Sequence, residues 1–404
     1  MHNVSYIQNH LQHDLFSLTM KSVPVITVCL SLTLVLIPEG VECGETLTVN
    51  GSDQLAKYSE DNNDEELILL HVIHRHGGRT RDVKTYPLDP YINETFYPYG
   101  HSQLTKNGRR TLYKVGSDLR DRYNKFLGDV YHINTIEPFS TDTNRTKMSL
   151  LLSLSGLYPP SGTILEWNSD LNWQPIPYNY GNNDVVGDPI YFCPKYNKLW
   201  RNYSLDEGLA LYENDLQLYE YCSEYTGWNI TEPEKIYDLY KILISEYEFG
   251  LKLPEWTASI WKKPLYEAAV KRFIYRTGTA ELKKLSGGWF LKELVENTVD
   301  KINRTLRPPD RKIFLYSGHE TNIGIILCTL GIFDNEIPGY GSQIIFEVYN
   351  IQGQYGFKVW YNGNRDGESM VLVTLPGCEE FCPLEKFLEL YSDVIPKDRS
   401  DCDD

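Results

Sequence analysis

The segment LILLHVIHRHGGRT, residues 67–80, joins an apolar run directly to a cluster of histidine and arginine side chains. The nearly continuous apolar run over 67–73 is typical of a strand that is buried on both faces of a parallel sheet. In open α/β sheets, ligands bind beyond the carboxyl ends of the strands. The segment therefore predicts an α/β fold with a ligand site at residues 74–79.

A second segment repeats this order near the other end of the chain. An apolar strand pattern over 312–317 runs into the polar cluster Gly318-His319-Glu320-Thr321, and a buried helix pattern follows over 320–332. Other patterns predict helices over 105–127, over 141–157 with Thr141-Asp142 as the N-cap, and over 289–306, a long loop over 158–190, and an antiparallel hairpin at the sheet edge over 343–349 and 356–361. Together they predict a mixed, mainly parallel sheet with helices on both faces.

The chain divides by composition into several parts. The apolar run over 23–37, preceded by Lys21, has the length of a secretory h-region, so residues 1–42 are interpreted as a signal region whose functional start is Met20. An uncleaved anchor helix is the alternative, although the run is shorter than the roughly 20 residues that a span needs. Residues 43–66 are interpreted as a mobile leader. The α/β domain is expected over 67–190 and 286–404, and an inserted helical cap over 191–285.

The formal net charge of −16 limits the kinds of partner that are expected to bind. A strongly acidic protein is repelled by nucleic acid and by anionic lipid, so neither is an expected partner. Any positive charge that attracts an anionic substrate must therefore be local. Arg75 and Arg79 flank His76 after the first strand, and Arg145 follows at the start of a helix. Guanidinium forks match phosphate oxygens, which favours a phosphate site.

The motifs that accompany this cluster resemble those of the histidine acid phosphatases, and among them the venom-type secreted acid phosphatases of insects. The similarity runs in order over about residues 67–402. The matching residues are His74-Arg75-His76-Gly77-Gly78-Arg79-Thr80, Tyr86-Pro87-Leu88-Asp89-Pro90, Gly100-His101-Ser102-Gln103-Leu104-Thr105, Ser140-Thr141-Asp142, Arg145-Thr146, Ser317-Gly318-His319-Glu320-Thr321, Pro376-Gly377-Cys378 and Cys382-Pro383-Leu384.

The resemblance implies a phosphoglycerate-mutase-like fold and a role for particular residues. His76 is the expected nucleophile, which forms a phosphohistidine, and Glu320 the expected proton donor. Arg75, Arg79, Arg145 and His319 are expected to bind the phosphoryl oxygens. Three guanidinium groups offset the charge of a transferring phosphoryl group. The expected substrates are small phosphomonoesters or phosphoproteins, hydrolysed at acid pH without a cofactor or metal, and the resemblance implies a homodimer.

Two further features favour a secreted protein, with the lysosome as the alternative location. N-x-Ser/Thr sequons stand at Asn50, Asn93, Asn144, Asn202, Asn229 and Asn303. Glycosylation is expected at all of them except Asn144, where a glycan beside Arg145 would block the pocket. Of the eight cysteines, Cys29 lies in the signal region. The resemblance suggests the disulfides Cys193–Cys402 and Cys378–Cys382. A bridge between Cys222 and Cys328 is also expected, because Cys222 has no conventional partner, and Cys43 is left over.

Departures from the family pattern leave alternatives open. Gly78 and Arg81 stand where many members have Asp and Pro, Glu320 where the vertebrate branch more often has Asp, and Phe139 where vertebrate relatives tend to have Arg. Arg81 would either add a substrate contact or loosen its loop. One alternative function is a secreted binding paralogue with weak or no catalysis. Another is a metallophosphatase that uses His74, His76 and the His319-Glu320 pair as ligands.

Overall fold

The central sheet places three parallel strands side by side and ends them at one edge. The computed structural model describes residues 65–181, 185–205, 207–364 and 369–403, so the predicted signal region, nearly all of the leader, Cys29, Cys43 and Asn50 lie outside the described residues. The described strands are β1 Glu65–Arg75, β2 Ile136–Ser140, β3 Asn179–Tyr180, β4 Ile313–Gly318, β5 Gln343–Ile351, β6 Gln354–Asn362, β7 Val371–Val373 and β8 Cys382–Pro383. Their order is β3-β2-β4-β1-β5-β6-β7, with β8 paired to β6.

The sheet changes from parallel to antiparallel at β1. Strands β1 to β4 pair in parallel, whereas β5, β6 and β7 each run antiparallel to their neighbours. Eleven α-helices connect and cover the described strands. They are α1 Lys106–Leu127, α2 Asn144–Leu157, α3 Pro189–Phe192, α4 Pro194–Leu205, α5 Leu216–Thr226, α6 Pro233–Phe249, α7 Lys263–Arg276, α8 Ala280–Lys284, α9 Gly288–Ile302, α10 Glu320–Leu330 and α11 Leu384–Tyr391.

Both faces of β1 are buried because successive side chains of a strand point to opposite faces. Leu70 and Val72 pack into a core with helices α1 and α2. Leu69 and Ile73 pack into a second core, with α9, α10 and α11. This arrangement explains the nearly continuous apolar run of the sequence. It confirms the predicted mixed α/β fold with helices on both faces.

Helices α5, α6 and α7 share a third apolar cluster that is rich in aromatic side chains. These helices fall within the predicted cap over 191–285, whose separateness as a domain stays a prediction. None of the helices in the described part of the chain has the length and apolar character needed to cross a bilayer.

Two details of the predicted secondary structure are wrong. Helix α2 begins at Asn144 with Thr143 as its N-cap, and the Thr141 hydroxyl donates to the Thr146 hydroxyl of α2 and contacts His319 instead of capping a backbone N–H. The antiparallel hairpin forms as β5 and β6, but it is not at the sheet edge. Strand β5 pairs with β1, and the short strand β7, which carries no periodic pattern, covers β6 on the outside.

The two disulfides that the resemblance suggested are present, and the third expected bridge is not. Cys193 is joined to Cys402 and Cys378 to Cys382. The expected bridge between Cys222 and Cys328 does not form, and both remain buried free thiols. Burial raises the pKa of each thiol to about 12. Since the thiolate is the form that reacts, these two cysteines behave as small apolar residues of the core.

The two glycines after His76 serve different purposes. A Cβ at Gly77 would lie 2.3 Å from the backbone oxygen of Gly108 in α1, whereas a Cβ at Gly78 would make only ordinary contacts of 3.6 Å or more. Gly77 is therefore needed for the close approach of α1 to the loop and not for the approach of a ligand. Position 78, where many relatives carry Asp, has room for a small side chain.

We expect Gly77→Ala to lower the free energy of unfolding by about 1–3 kcal/mol or more, because the methyl group overlaps backbone that cannot give way. The matched variant Gly78→Ala should change it by less than about 1 kcal/mol in either direction. Urea unfolding of both variants beside the wild type measures the difference. Equal losses in the two variants would contradict this account of the loop.

Candidate active site

Three parallel strand ends bring the predicted site residues together. Strand β1 ends at Arg75, β2 at Ser140 and β4 at Gly318, and these strands are neighbours in the sheet. Arg75 is in register with Gly318, and Ser140 with Ser317. The residues that follow each strand therefore meet at one edge, as the carboxyl ends of adjacent parallel strands do.

His76 lies at the bottom of this edge and is 1% exposed. Its Nδ1 lies 2.9 Å from the carbonyl oxygen of Gly77. Because a carbonyl oxygen can only accept a hydrogen bond, Nδ1 carries the proton and Nε2 keeps its lone pair. Burial and the guanidinium groups of Arg145 and Arg75 hold the pKa of His76 well below its usual range. The imidazole is thus neutral, with Nε2 available to attack, even at acid pH.

The three predicted arginines lie in the same site as this histidine; Arg75 and Arg79 are buried, whereas Arg145 is partly exposed. Arg75 contacts Glu320, with 3.1 Å between Nε and Oε2, and its Nη1 donates to the carbonyl oxygen of Pro338. The Arg79 guanidinium pairs with Asp82 at 3.0 Å. Arg145 has a buried Nε that finds no hydrogen-bond partner within the described residues. Burial and the nearby Arg79 lower the pKa of Arg145. An anion between these guanidinium groups would relieve their mutual repulsion.

His319 is held between the ends of β2 and β4. Its Nε2 lies 3.0 Å from the Thr141 hydroxyl, and its Nδ1 lies 3.4 Å from Nη2 of Arg145. The Thr141 hydroxyl is also within 2.9 Å of the Thr146 hydroxyl. Burial and Arg145 lower the pKa of His319 to about 3. Its neutral ring therefore stands beside Arg145, where one anionic oxygen can contact both side chains.

Glu320 directly follows His319 at the start of α10 and is 7% exposed. Its Oε2 lies 3.8 Å from Nε2 of His76. Burial alone would raise the pKa of the Glu320 carboxyl. The positive charge of Arg75 nevertheless holds that pKa well below its usual range. The ligand-free site therefore contains an ionised carboxylate beside a neutral imidazole.

His74 does not join this cluster. Its Nε2 lies 3.3 Å from the Ser153 hydroxyl of α2, inside the protein. Among the described residues, the donor atoms of His76, His319 and Glu320 lie within 4.8 Å of one another. The metallophosphatase alternative thus loses one of its proposed ligands. A divalent cation would also stand beside Arg75 and Arg145, whose charge opposes its binding.

Arg81 is buried in the loop that also contains Arg79. The residue is 1% exposed, and its Nε lies 3.0 Å from Oε1 of Glu246 and 3.8 Å from Oδ2 of Asp89. The same guanidinium donates to the carbonyl oxygens of Asp82 and Tyr91. Arg81 therefore ties the loop to helix α6. The expectation that Arg81 loosens its loop is wrong, and the expected substrate contact stays a prediction.

Several residues of the site were missed by reasoning from the sequence. Tyr237 of α6 donates a hydrogen bond to Glu320, Tyr340 stacks on the Arg75 guanidinium at 4.0 Å, and Asp82 pairs with Arg79. A cleft of about 1040 Å³ opens beside Arg75. Residues that line it include Tyr237, Tyr240, Lys241, Lys262 and Tyr340. Tyrosine is frequent throughout this chain, so no local sequence signal distinguishes these tyrosines from those of the core.

Comparison with known proteins agrees with this geometry. Residues 66–362 match the family model described as the histidine phosphatase superfamily (branch 2). The chain belongs to this superfamily. The venom acid phosphatase Acph-1 of Apis mellifera is 38% identical over 339 residues, which cover 82% of this chain and 86% of that protein. The lysosomal acid phosphatase of Homo sapiens is 32% identical over 343 residues, which cover 82% of this chain and 79% of that protein.

Solved structures show the same fold. A Hafnia alvei phytase in complex with myo-inositol hexakis sulphate aligns with this branch 2 phosphatase at a TM-score of 0.58 and 17% identity, covering 84% of this chain and 99% of the other. These comparisons confirm the predicted family, the fold and the class of enzyme, a histidine-type phosphatase. The roles of individual site residues stay predictions.

The buried carboxyl of Glu246, which contacts Arg81, makes the stability of this branch 2 phosphatase depend on pH. Burial raises the pKa of Glu246 to about 8, and the neighbouring Asp89 adds to the rise. The folded state therefore keeps Glu246 protonated at pH values where an unfolded chain, with an ordinary glutamate pKa of about 4.5, has lost that proton. Between these two values, stability falls as pH rises, by up to about 1.4 kcal/mol per pH unit.

We expect Glu246→Gln to remove this slope, since the amide is neutral at every pH. The free energy of unfolding of the wild type should fall relative to that of the variant between pH 5 and pH 8, measured by urea unfolding at several pH values. The exposed carboxyl of Glu267 on α7 supplies the control, and Glu267→Gln should track the wild type. Parallel curves for wild type and Glu246→Gln would show that Glu246 is ionised in the folded protein.

Proposed function

We propose that this protein hydrolyses phosphate monoesters at acid pH through a covalent phosphohistidine on His76. The observation that carries the proposal is the state of His76. Its Nδ1 proton is bound to the Gly77 carbonyl, which leaves the Nε2 lone pair free, and the guanidinium groups of Arg75 and Arg145 lie close enough to lower its pKa. Guanidinium groups attract a phosphoryl group, and a neutral imidazole nitrogen is a competent nucleophile toward phosphorus.

In the first step, the Nε2 lone pair attacks phosphorus and the bond from phosphorus to the ester oxygen breaks. Arg75, Arg79 and Arg145 donate to the phosphoryl oxygens. His319 can also donate from Nδ1 if its proton moves from Nε2, because the Thr141 hydroxyl can either accept from or donate to the other ring nitrogen. Glu320 supplies a proton to the leaving oxygen, which would otherwise depart as a poorly stabilised alkoxide.

In the second step, water attacks the phosphohistidine and the bond between nitrogen and phosphorus breaks. Glu320, now a carboxylate, takes the proton of the attacking water and passes it to the phosphate, which leaves as its monoanion. The proton used in the first step must arrive with the substrate, because Glu320 is ionised in the ligand-free site. A phosphate monoester that binds as its monoanion brings this proton and at the same time offsets the charge of Arg75.

The first test is hydrolysis of para-nitrophenyl phosphate near pH 5 in the presence of EDTA. We expect turnover by the wild type and a loss of at least about 10³-fold in kcat/KM for His76→Ala, because the covalent intermediate cannot form. Loss of wild-type activity in EDTA would favour the metallophosphatase. Absence of turnover by a folded wild type would favour the binding paralogue.

The second test is the dependence of kcat/KM on pH. Since the pKa of His76 lies far below 6.5, no loss of nucleophile is expected between pH 6.5 and pH 5. We expect kcat/KM to be nearly level below the second phosphate pKa of the ester, about 6, and to fall above it as the monoanion disappears. An ester with a more acidic phosphate should move this fall to lower pH. A rate that rises through pH 6.5 would contradict a neutral His76.

We further propose that the protein is secreted and glycosylated, with the lysosome as the alternative location. The relatives include a venom and a lysosomal acid phosphatase. The sequon residues Asn93, Asn202, Asn229 and Asn303 are exposed, as a glycan acceptor must be, and so is Asn144 beside Arg145. The proposed substrates are small phosphomonoesters or phosphoproteins, without nucleic acid or membrane as a partner, and the proposed assembly is a homodimer.

A further inference from the structure

Tyr237 reaches Glu320 from a helix that lies outside the strand-end loops. The residue belongs to α6 and is 1% exposed. Its hydroxyl donates a hydrogen bond of 2.8 Å to Oε1 of Glu320. The other oxygen of the same carboxylate, Oε2, faces Arg75 and His76. The two oxygens of Glu320 therefore have different neighbours. Oε1 contacts helix α6, whereas Oε2 contacts Arg75 and the proposed nucleophile.

The Tyr237 ring cannot move away from this position easily. The Arg272 guanidinium lies 4.3 Å above the ring, and the Phe273 ring packs edge-on at 5.7 Å between centroids. Arg272 is itself fixed, because its Nε lies 2.9 Å from a Glu234 oxygen and its Nη1 donates to the Thr321 hydroxyl at 3.0 Å. Thr321 follows Glu320 in the chain. The Arg272 guanidinium thus packs on the Tyr237 ring and also binds Thr321, the residue next to Glu320.

Two contacts fix the orientation of the Glu320 carboxyl. Oε1 accepts the phenol hydrogen of Tyr237, and Oε2 lies 3.1 Å from Nε of Arg75. Without the phenol, the carboxyl keeps a partner on only one of its oxygens and can rotate. With it, Oε2 is held 3.8 Å from Nε2 of His76. A glutamate also has one more rotatable bond than an aspartate, so holding its carboxyl requires an additional restraint.

We infer that Tyr237 is a positioning residue for general acid catalysis, which fixes the Glu320 carboxyl so that Oε2 stays beside the nucleophile. The inference rests on the proposed function, in which Glu320 is the proton donor. It extends that function to a residue of the helical layer that has no contact with phosphorus. A leaving group that needs protonation depends on this arrangement, whereas a leaving group that departs readily as an anion does not.

The test compares kcat/KM of Tyr237→Phe on two esters, glycerol 2-phosphate with an alkoxide leaving group and para-nitrophenyl phosphate with a stabilised phenolate. General acid catalysis contributes about 10²–10⁴-fold, and loss of its orientation should remove a part of this. We expect kcat/KM to fall about tenfold or more on glycerol 2-phosphate and less than about twofold on para-nitrophenyl phosphate. The quantity kcat/KM excludes the later hydrolysis of the phosphohistidine from the comparison.

Tyr247→Phe is the matched control, because Tyr247 lies on the same helix but is exposed and does not line the cleft. It should leave the ratio between the two esters unchanged. Glu320→Gln should show the same selective loss as Tyr237→Phe, but a larger one. An equal loss on both esters in Tyr237→Phe, or no loss on either, would overturn the inference while an active wild type keeps the proposed function. If the wild type hydrolyses neither ester, or if Glu320→Gln affects both equally, the proposed role of Glu320 fails and the inference falls with it.

Discussion

The buried ion pair between Arg75 and Glu320 joins the ends of strands β1 and β4, and the rest of the site depends on it. Moving a charge out of water costs several kcal/mol, so a buried guanidinium needs both an opposite charge and hydrogen-bond partners. Arg75 finds them in Glu320 and in the Pro338 carbonyl. Glu320 in turn finds Arg75 on one oxygen and Tyr237 on the other. The pair holds the proposed acid beside the nucleophile before any substrate binds.

The same positive charge keeps the nucleophile available at acid pH. A histidine with an ordinary pKa near 6.5 would be protonated, and so unreactive, in an acidic compartment. His76 avoids this because burial and two guanidinium groups oppose a further positive charge. Buried histidines that stay neutral also make the folded state lose stability at low pH, whereas Glu246, which stays protonated, makes it lose stability at high pH. Opposite slopes of this kind confine the greatest stability to intermediate pH.

The sequence was sufficient for the features that local pattern determines. The apolar run before His76 and the second run before His319 predict two buried strands, and adjacent parallel strands bring their ends together. The sequence could not predict which tyrosine meets Glu320, because Tyr237 is separated from it by 83 residues and by the packing of two helices. Arg81 was misjudged for a similar reason, since its partner Glu246 lies on a distant helix. The expected pairing of Cys222 with Cys328 was wrong because it rested only on the lack of another partner for Cys222.

Helix α6 connects these unpredicted contacts. Tyr237, Lys241, Ile244 and Glu248 line the cleft at spacings of three or four residues, which places them on one helical face. Glu246, on the same helix, binds Arg81 in the loop that also contains Arg79. One helix thus presents a residue to the proposed acid, lines the cleft and anchors the loop that contains Arg79. A shift of α6 by even part of a turn would disturb all three. The packing of a single helix therefore connects the proposed acid, the cleft and this loop.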